Sequence, residues 1–136
     1  MKILYTAEAT AWGGREGRTA TTDGLLDVKL ALPKELGGPG EATNPEQLFA
    51  AGYASCFHSA LKLIAMREKV DVSESAITAR VGLGATEIYF NLEVELEAEL
   101  PNVERSVAEK LVAEAHKVCP YSNATRGNIE VTLTVV

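Results

Sequence analysis

An α+β fold, with mainly antiparallel strands and two main helices, is what this sequence predicts. Three observations carry that reading. Short segments near both ends and in the middle alternate apolar and polar residues, the period of a half-buried strand. One long run, 46–70, is apolar or small on every face as far as Lys62, which marks a central, buried helix. A second segment, 102–118, carries Val103, Val107, Leu111 and Val118 near one stripe, the pattern of an amphipathic helix.

Taken in order, "KILYTAEATAW" (2–12) reads as a strand, "GGREG" (13–17) as a turn and "RTATT" (18–22) as a second strand. Asp23-Gly24 is a tight-turn signal, and "LDVKLAL" (26–32) alternates as a third strand. The glycine- and proline-rich "PKELGGPGEATNP" that follows is a loop, and a long loop of this kind can serve as a lid. It lacks the Gly-Lys-Ser/Thr of a phosphate cradle. "NPEQ" opens the central helix, with Asn44 as N-cap, Pro45 at the first helical position and Gln47 at the capping-box position. Ala50, Ala51, Gly52, Ala54 and Ser55 allow a neighbouring backbone to come close. Strands are expected at 75–84 and 90–100. In the second, Leu92, Val94, Leu96 and Ala98 face inward, while Glu93, Glu95, Glu97 and Glu99 form a solvated face. Pro120 stops the second helix, and "NIEVTLTVV" closes the chain as a strand.

The chain is 136 residues long, 46% hydrophobic and 24% charged, enough for one domain (1–136) with a core that needs no staples. A net charge of −6 with scattered lysines and arginines argues against nucleic acid or anionic membrane as partner. The N-terminus does not read as a signal peptide, and no stretch reads as a transmembrane helix, so the expected compartment is the cytoplasm. Thiols stay reduced there, and two cysteines are then more often catalytic, metal-binding or inert than a permanent bridge.

Cys56 lies within the central helix and Cys119 at the end of the second. A zinc site could draw on Cys56-x-His58 and His116-x-x-Cys119. Cys56 and His58, however, point to different sides of a helix, so no metal is expected. Both cysteines could equally be small core hydrophobes. A redox role needs a cation to hold a thiolate against burial, and no Lys or Arg lies within one turn of Cys56.

"NPEQLFAAGYASCFHSAL", "VCPYSNATRGNIEV" and "GREGRT" together resemble the organic hydroperoxide resistance (Ohr) proteins of the OsmC/Ohr superfamily, across essentially the whole chain. The resemblance implies an OsmC/Ohr-like fold, mainly antiparallel sheets packed around a long central helix in an intertwined homodimer. It implies a cysteine-based peroxidase that reduces organic (alkyl or fatty-acid) hydroperoxides. Cys56 would be the peroxidatic residue and Cys119 the resolving one, closing a disulfide. Arg18 would assist, with Arg15 a nearby alternative, and Glu46 would pair with that arginine. No cofactor is expected to be bound, and the reductant would be a dithiol, the dihydrolipoyl group of a lipoylated protein. Leu48, Phe49, Phe57 and the glycine loop 37–40 are candidate walls of an apolar substrate pocket. A non-catalytic redox sensor using the same pair is the alternative, and a structural or ligand-binding domain with inert cysteines a third.

One constraint is geometric. Glu46 and Cys56 are separated by about 15 Å of rise on a straight helix. Either the helix breaks between them, or Glu46 serves the Cys56 of a second subunit.

Overall fold

The computed structural model describes residues 1–136. The chain divides into two compact units, Met1–Leu48 and Phe49–Val136.

The first unit is a three-stranded antiparallel meander: β1 (Ala9–Trp12), β2 (Arg18–Thr21) and β3 (Asp27–Lys29), in the order β1-β2-β3. β1 is shorter than expected: residues 2–7 pair with no strand, Glu8 adds only a bond from the Thr22 N–H to its carbonyl, and all of them stay exposed. The β1–β2 turn is forced by its glycines. Gly13 and Gly14 take left-handed backbones, and a Cβ at Gly17 would lie 1.7 Å from the Trp12 carbonyl oxygen. This turn contains the 3-10 segment Gly14–Glu16, which carries Arg15. The unit has little core of its own: Ala20 and Leu30 are its only buried hydrophobic residues, while Ile3, Leu4, Tyr5, Trp12 and Leu25 are exposed.

The central helix, α1, runs without interruption from Pro45 to Arg67. Asn44 caps it, its Oδ1 accepting from the Gln47 N–H at 2.8 Å. The Gln47 side chain accepts from the Thr43 hydroxyl (2.7 Å), and no bond from it to the Asn44 N–H completes the capping box. Contrary to the sequence expectation, this helix is long and apolar enough to cross a membrane by length and composition. It is also not buried all round. Tyr53, Phe57, Leu61 and Ile64 form its buried face, whereas Ala51, Ser55, Ser59, Leu63 and Met66 lie exposed at helical spacing.

The second unit holds a three-stranded sheet in the order β4-β5-β6: β4 (Ala76–Ala85), β5 (Phe90–Glu99) and β6 (Val131–Val135). β4 and β5 are an antiparallel pair, but β6 runs parallel to β5. Parallel pairing needs a crossover, and α2 (Arg105–Val118) and α3 (Pro120–Thr125) provide it. Val94, Leu96 and Ala98 face the core, and Glu93, Glu95, Glu97 and Glu99 point the other way, as their alternation requires. Glu95 and Glu97 are paired with Arg80.

Glu104 caps α2, accepting from the Ser106 N–H. Its inward stripe is Ala108, Leu111, Val112 and Ala115. Val118, expected inward, is 40% exposed, because the chain leaves the helix at the next residue. Pro120 does not simply end a helix. It occupies the first position of α3, where its missing N–H costs nothing.

Leu111 is 2% exposed, so Leu111→Ala is expected to destabilise the protein by about 2–5 kcal/mol. Val118→Ala should change stability by no more than about 0.5 kcal/mol. Urea denaturation of the two variants separates them.

Candidate active site

Cys56 and Cys119, 63 positions apart, meet in the second unit with their Sγ atoms 3.6 Å from each other. Both are free thiols. A covalent S–S bond is about 2.0 Å long, so a small closing motion separates the pair from a disulfide. Cys56 sits mid-way along α1 and is half-buried. Cys119 ends α2 and begins α3. Its N–H donates to the Ala115 carbonyl, its own carbonyl accepts from the Asn123 N–H, and it has no exposed surface.

Burial pushes the Cys56 thiol up from its ordinary value. The Tyr121 backbone N–H opposes that, and the nearby Cys119 reinforces it. Sequence reasoning missed the Tyr121 N–H. Its signal was Pro120 directly after a cysteine, which reads equally well as a helix start.

Tyr121 is held by an aromatic cluster. Its ring lies 6.0 Å from Phe49 and 5.7 Å from Tyr53, centroid to centroid. Gly52 makes room for it, since a Cβ there would stand 2.9 Å from the Tyr121 hydroxyl. Beneath lies a buried hydroxyl network that ties α3 to α1 and α2. The Tyr53 hydroxyl bonds Ser122 Oγ (2.8 Å) and Thr125 Oγ1 (3.0 Å), and Ser122 Oγ also bonds His116 Nδ1 (2.8 Å). Burial pushes the His116 ring down from its usual value, toward the neutral form.

The two histidines are thus committed elsewhere, His116 to Ser122 and His58 to Ser75. No group of three or more His, Cys, Asp or Glu side chains is placed to hold a metal ion.

In the first unit, Arg15 and Glu46 form a two-point fork, Nη1 to Oε2 at 2.8 Å and Nη2 to Oε1 at 2.6 Å. The expected partner of Glu46 was Arg18. Instead, Arg18 forks onto Asp27 (2.7 and 2.8 Å) and stacks on Trp12. Register explains the difference. Arg18 stands opposite Lys29 on β3 and opposite Trp12 on β1, so Asp27 is its diagonal neighbour on the same face. Arg15 rides on the turn, outside that ladder. The fork with Arg15 holds the Glu46 carboxyl below the usual carboxylate range, against a smaller opposing effect of burial.

Of the expected pocket walls, Leu48 is half-buried in the first unit. Phe49 packs on the aromatic cluster. Phe57 has no exposed surface and is a core residue rather than a wall, because its position on α1 faces inward with Tyr53, Leu61 and Ile64.

A mixed α/β fold around a long helix, with two thiols in contact, defines a class of cysteine-bearing proteins. Comparison with known proteins names it. The family model described as OsmC-like protein matches residues 38–134. An organic hydroperoxide resistance protein of Xanthomonas axonopodis pv. citri is 54% identical over 136 residues, covering 98% of this chain and 96% of its own. Organic hydroperoxide resistance protein OhrA of Bacillus subtilis is 49% identical, covering 97% and 96%. The crystal structure of an organic hydroperoxide resistance protein from Legionella pneumophila superposes with a TM-score of 0.94 at 55% identity, covering 98% of both chains. The chain belongs to the OsmC-like family, and within it to the organic hydroperoxide resistance proteins.

The Glu46 carboxyl is expected to titrate below an ordinary glutamate in the wild type and to rise in Arg15→Ala, while Arg18→Ala leaves it in place. Side-chain carboxyl NMR titration reads this directly. Because the folded-state value is depressed, the contribution of Glu46 to stability is present above its unfolded value and is lost as pH falls through the folded one.

Proposed function

We propose that this protein is a thiol-dependent peroxidase that reduces organic hydroperoxides to alcohols. The observation that carries the reading is the 3.6 Å approach of a half-exposed sulfur to a fully buried one. The Cys56 thiolate attacks the O–O bond of the hydroperoxide. The alkoxide leaves and takes a proton to become the alcohol, and Cys56 becomes a sulfenic acid. Cys119 then condenses with it, forming the disulfide and releasing water. A dithiol, in this reading the dihydrolipoyl group of a lipoylated protein, reopens the bridge in a reducing cytoplasm, and no bound cofactor is needed.

Burial alone leaves Cys56 protonated too readily, so the site needs a cation. In this proposal Arg15, oriented by Glu46, supplies it in place of Arg18, and it also polarises the peroxide. Since α1 is unbroken, the Glu46 that serves a given Cys56 belongs to a second copy of the chain. Two further features support a homodimer. The exposed stripe Ala51, Ser55, Ser59, Leu63 and Met66 on α1 suits close helix contact, and the first unit exposes apolar side chains that its own fold does not cover. Phe49 and Leu48 remain candidate pocket walls, and apolar surroundings favour alkyl and fatty-acid hydroperoxides over hydrogen peroxide.

Cys56→Ser is expected to abolish turnover of cumene hydroperoxide with dihydrolipoamide, whereas Cys119→Ser, given peroxide in the absence of any dithiol, reduces one equivalent and stops as the sulfenic acid, read by intact mass. Sustained turnover by Cys56→Ser would exclude the mechanism. Oxidation of both thiols without turnover would instead favour the redox sensor. Arg15→Ala should move the pH profile of peroxide attack upward, and Arg18→Ala should leave it unchanged. A stable, fully active monomer in analytical ultracentrifugation would rule out the shared site.

A further inference from the structure

We infer that the two sulfurs of the oxidised pair are not equivalent toward a reductant: an incoming thiol attacks Sγ of Cys56, and Cys119 is the leaving thiol. This rests on the proposed disulfide cycle and assigns the direction of its reductive half. Thiol–disulfide exchange is an in-line displacement, so the attacking sulfur must arrive opposite the sulfur that leaves. To attack Cys119, a thiol would have to come from behind it, through the packing of the second unit's core, where Cys119 is a member with Leu111, Val112 and Ala115. Cys119 has no exposed surface within its own chain. A second copy can add cover to it but can remove none. Within its own chain, attack on Cys56 meets no such barrier, because Cys56 flanks the core cluster and is only half-buried.

The first thiol of the reductant forms an S–S bond to Cys56 while the Cys56–Cys119 bond breaks, and its proton ends on Cys119. The second thiol then attacks the reductant's own sulfur in the mixed disulfide, closing a cyclic disulfide and returning Cys56 as the thiol. The reductant is oxidised by two electrons and the protein pair is reduced by two. Cys119 never carries the reductant. Peroxide and dithiol therefore react in turn at one sulfur.

The test fixes the adduct chemically. Full-length protein is oxidised with diamide, which closes the bridge without peroxide, and is mixed with dihydrolipoamide methylated on one sulfur. The reaction is quenched in acid, free thiols are alkylated, and tryptic peptides are weighed. The mixed disulfide is expected on the peptide that ends at Lys62, with the alkyl label on the one that ends at Arg126. An adduct on the Arg126 peptide, or an even split, overturns the inference, and so does failure of diamide to join the two cysteines. A second measurement does not need the bridge. Under native conditions Cys56 in Cys119→Ser should react with a bulky disulfide reagent roughly tenfold or more faster than Cys119 in Cys56→Ser, and urea should erase the difference. Equal native rates overturn the inference. Peroxide turnover is assayed separately: an adduct on Cys56 in a protein without turnover sinks the peroxidase reading and leaves the direction of attack standing.

Discussion

The placement of Cys119 is the constraint on which the rest of the site depends. It stands where α2 ends and α3 begins, with its sulfur enclosed and its backbone bonded into both helices. A proline immediately afterward fixes where the second helix starts. The hydroxyls of Tyr53, Ser122 and Thr125 and the His116 ring then lock that corner onto α1. Such a network is worth holding intact, because a buried hydroxyl left without a partner costs about 1–3 kcal/mol. The sulfur contact is therefore a product of packing that surrounds it on three elements.

The first unit obeys a different logic. Its glycine turn and its ladder register divide two arginines between two carboxylates. Arg15 reaches Glu46, and Arg18 reaches Asp27 on the sheet face. One fork is part-buried and the other exposed, and a two-point fork gains most where water is partly excluded. The unit has almost no core, so its apolar side chains remain outward-facing within its own fold.

Much of this was legible in the sequence, and the limits are instructive. The N-cap at Asn44 and the inward and outward sides of β5 follow from local chemistry and period, and the structure places them as expected. The meeting of Cys56 and Cys119 came only from family resemblance, since nothing local joins residues so far apart. The arginine pairing was misread because Arg15 and Arg18 look alike in sequence, and only the strand register decides which one sits in a ladder. The short α3 was hidden by the two meanings of proline, which ends one helix and opens another. Phe57 was misplaced because a helix apolar all round gives no periodicity to say which side is inward.

The 63-position separation of the two cysteines has a thermodynamic side. Joining them would close a long loop in the unfolded chain and remove about 4 kcal/mol of its chain entropy. The oxidised protein would then unfold less readily than the reduced one by a comparable amount. By the same cycle, folding would hold the bridge closed and lower its reduction potential by about 90 mV relative to the unfolded chain. Reopening it in the folded protein would then take a more reducing couple than reopening it in the unfolded chain, and closing and opening the bridge would alternate the protein between a more rigid and a more yielding form.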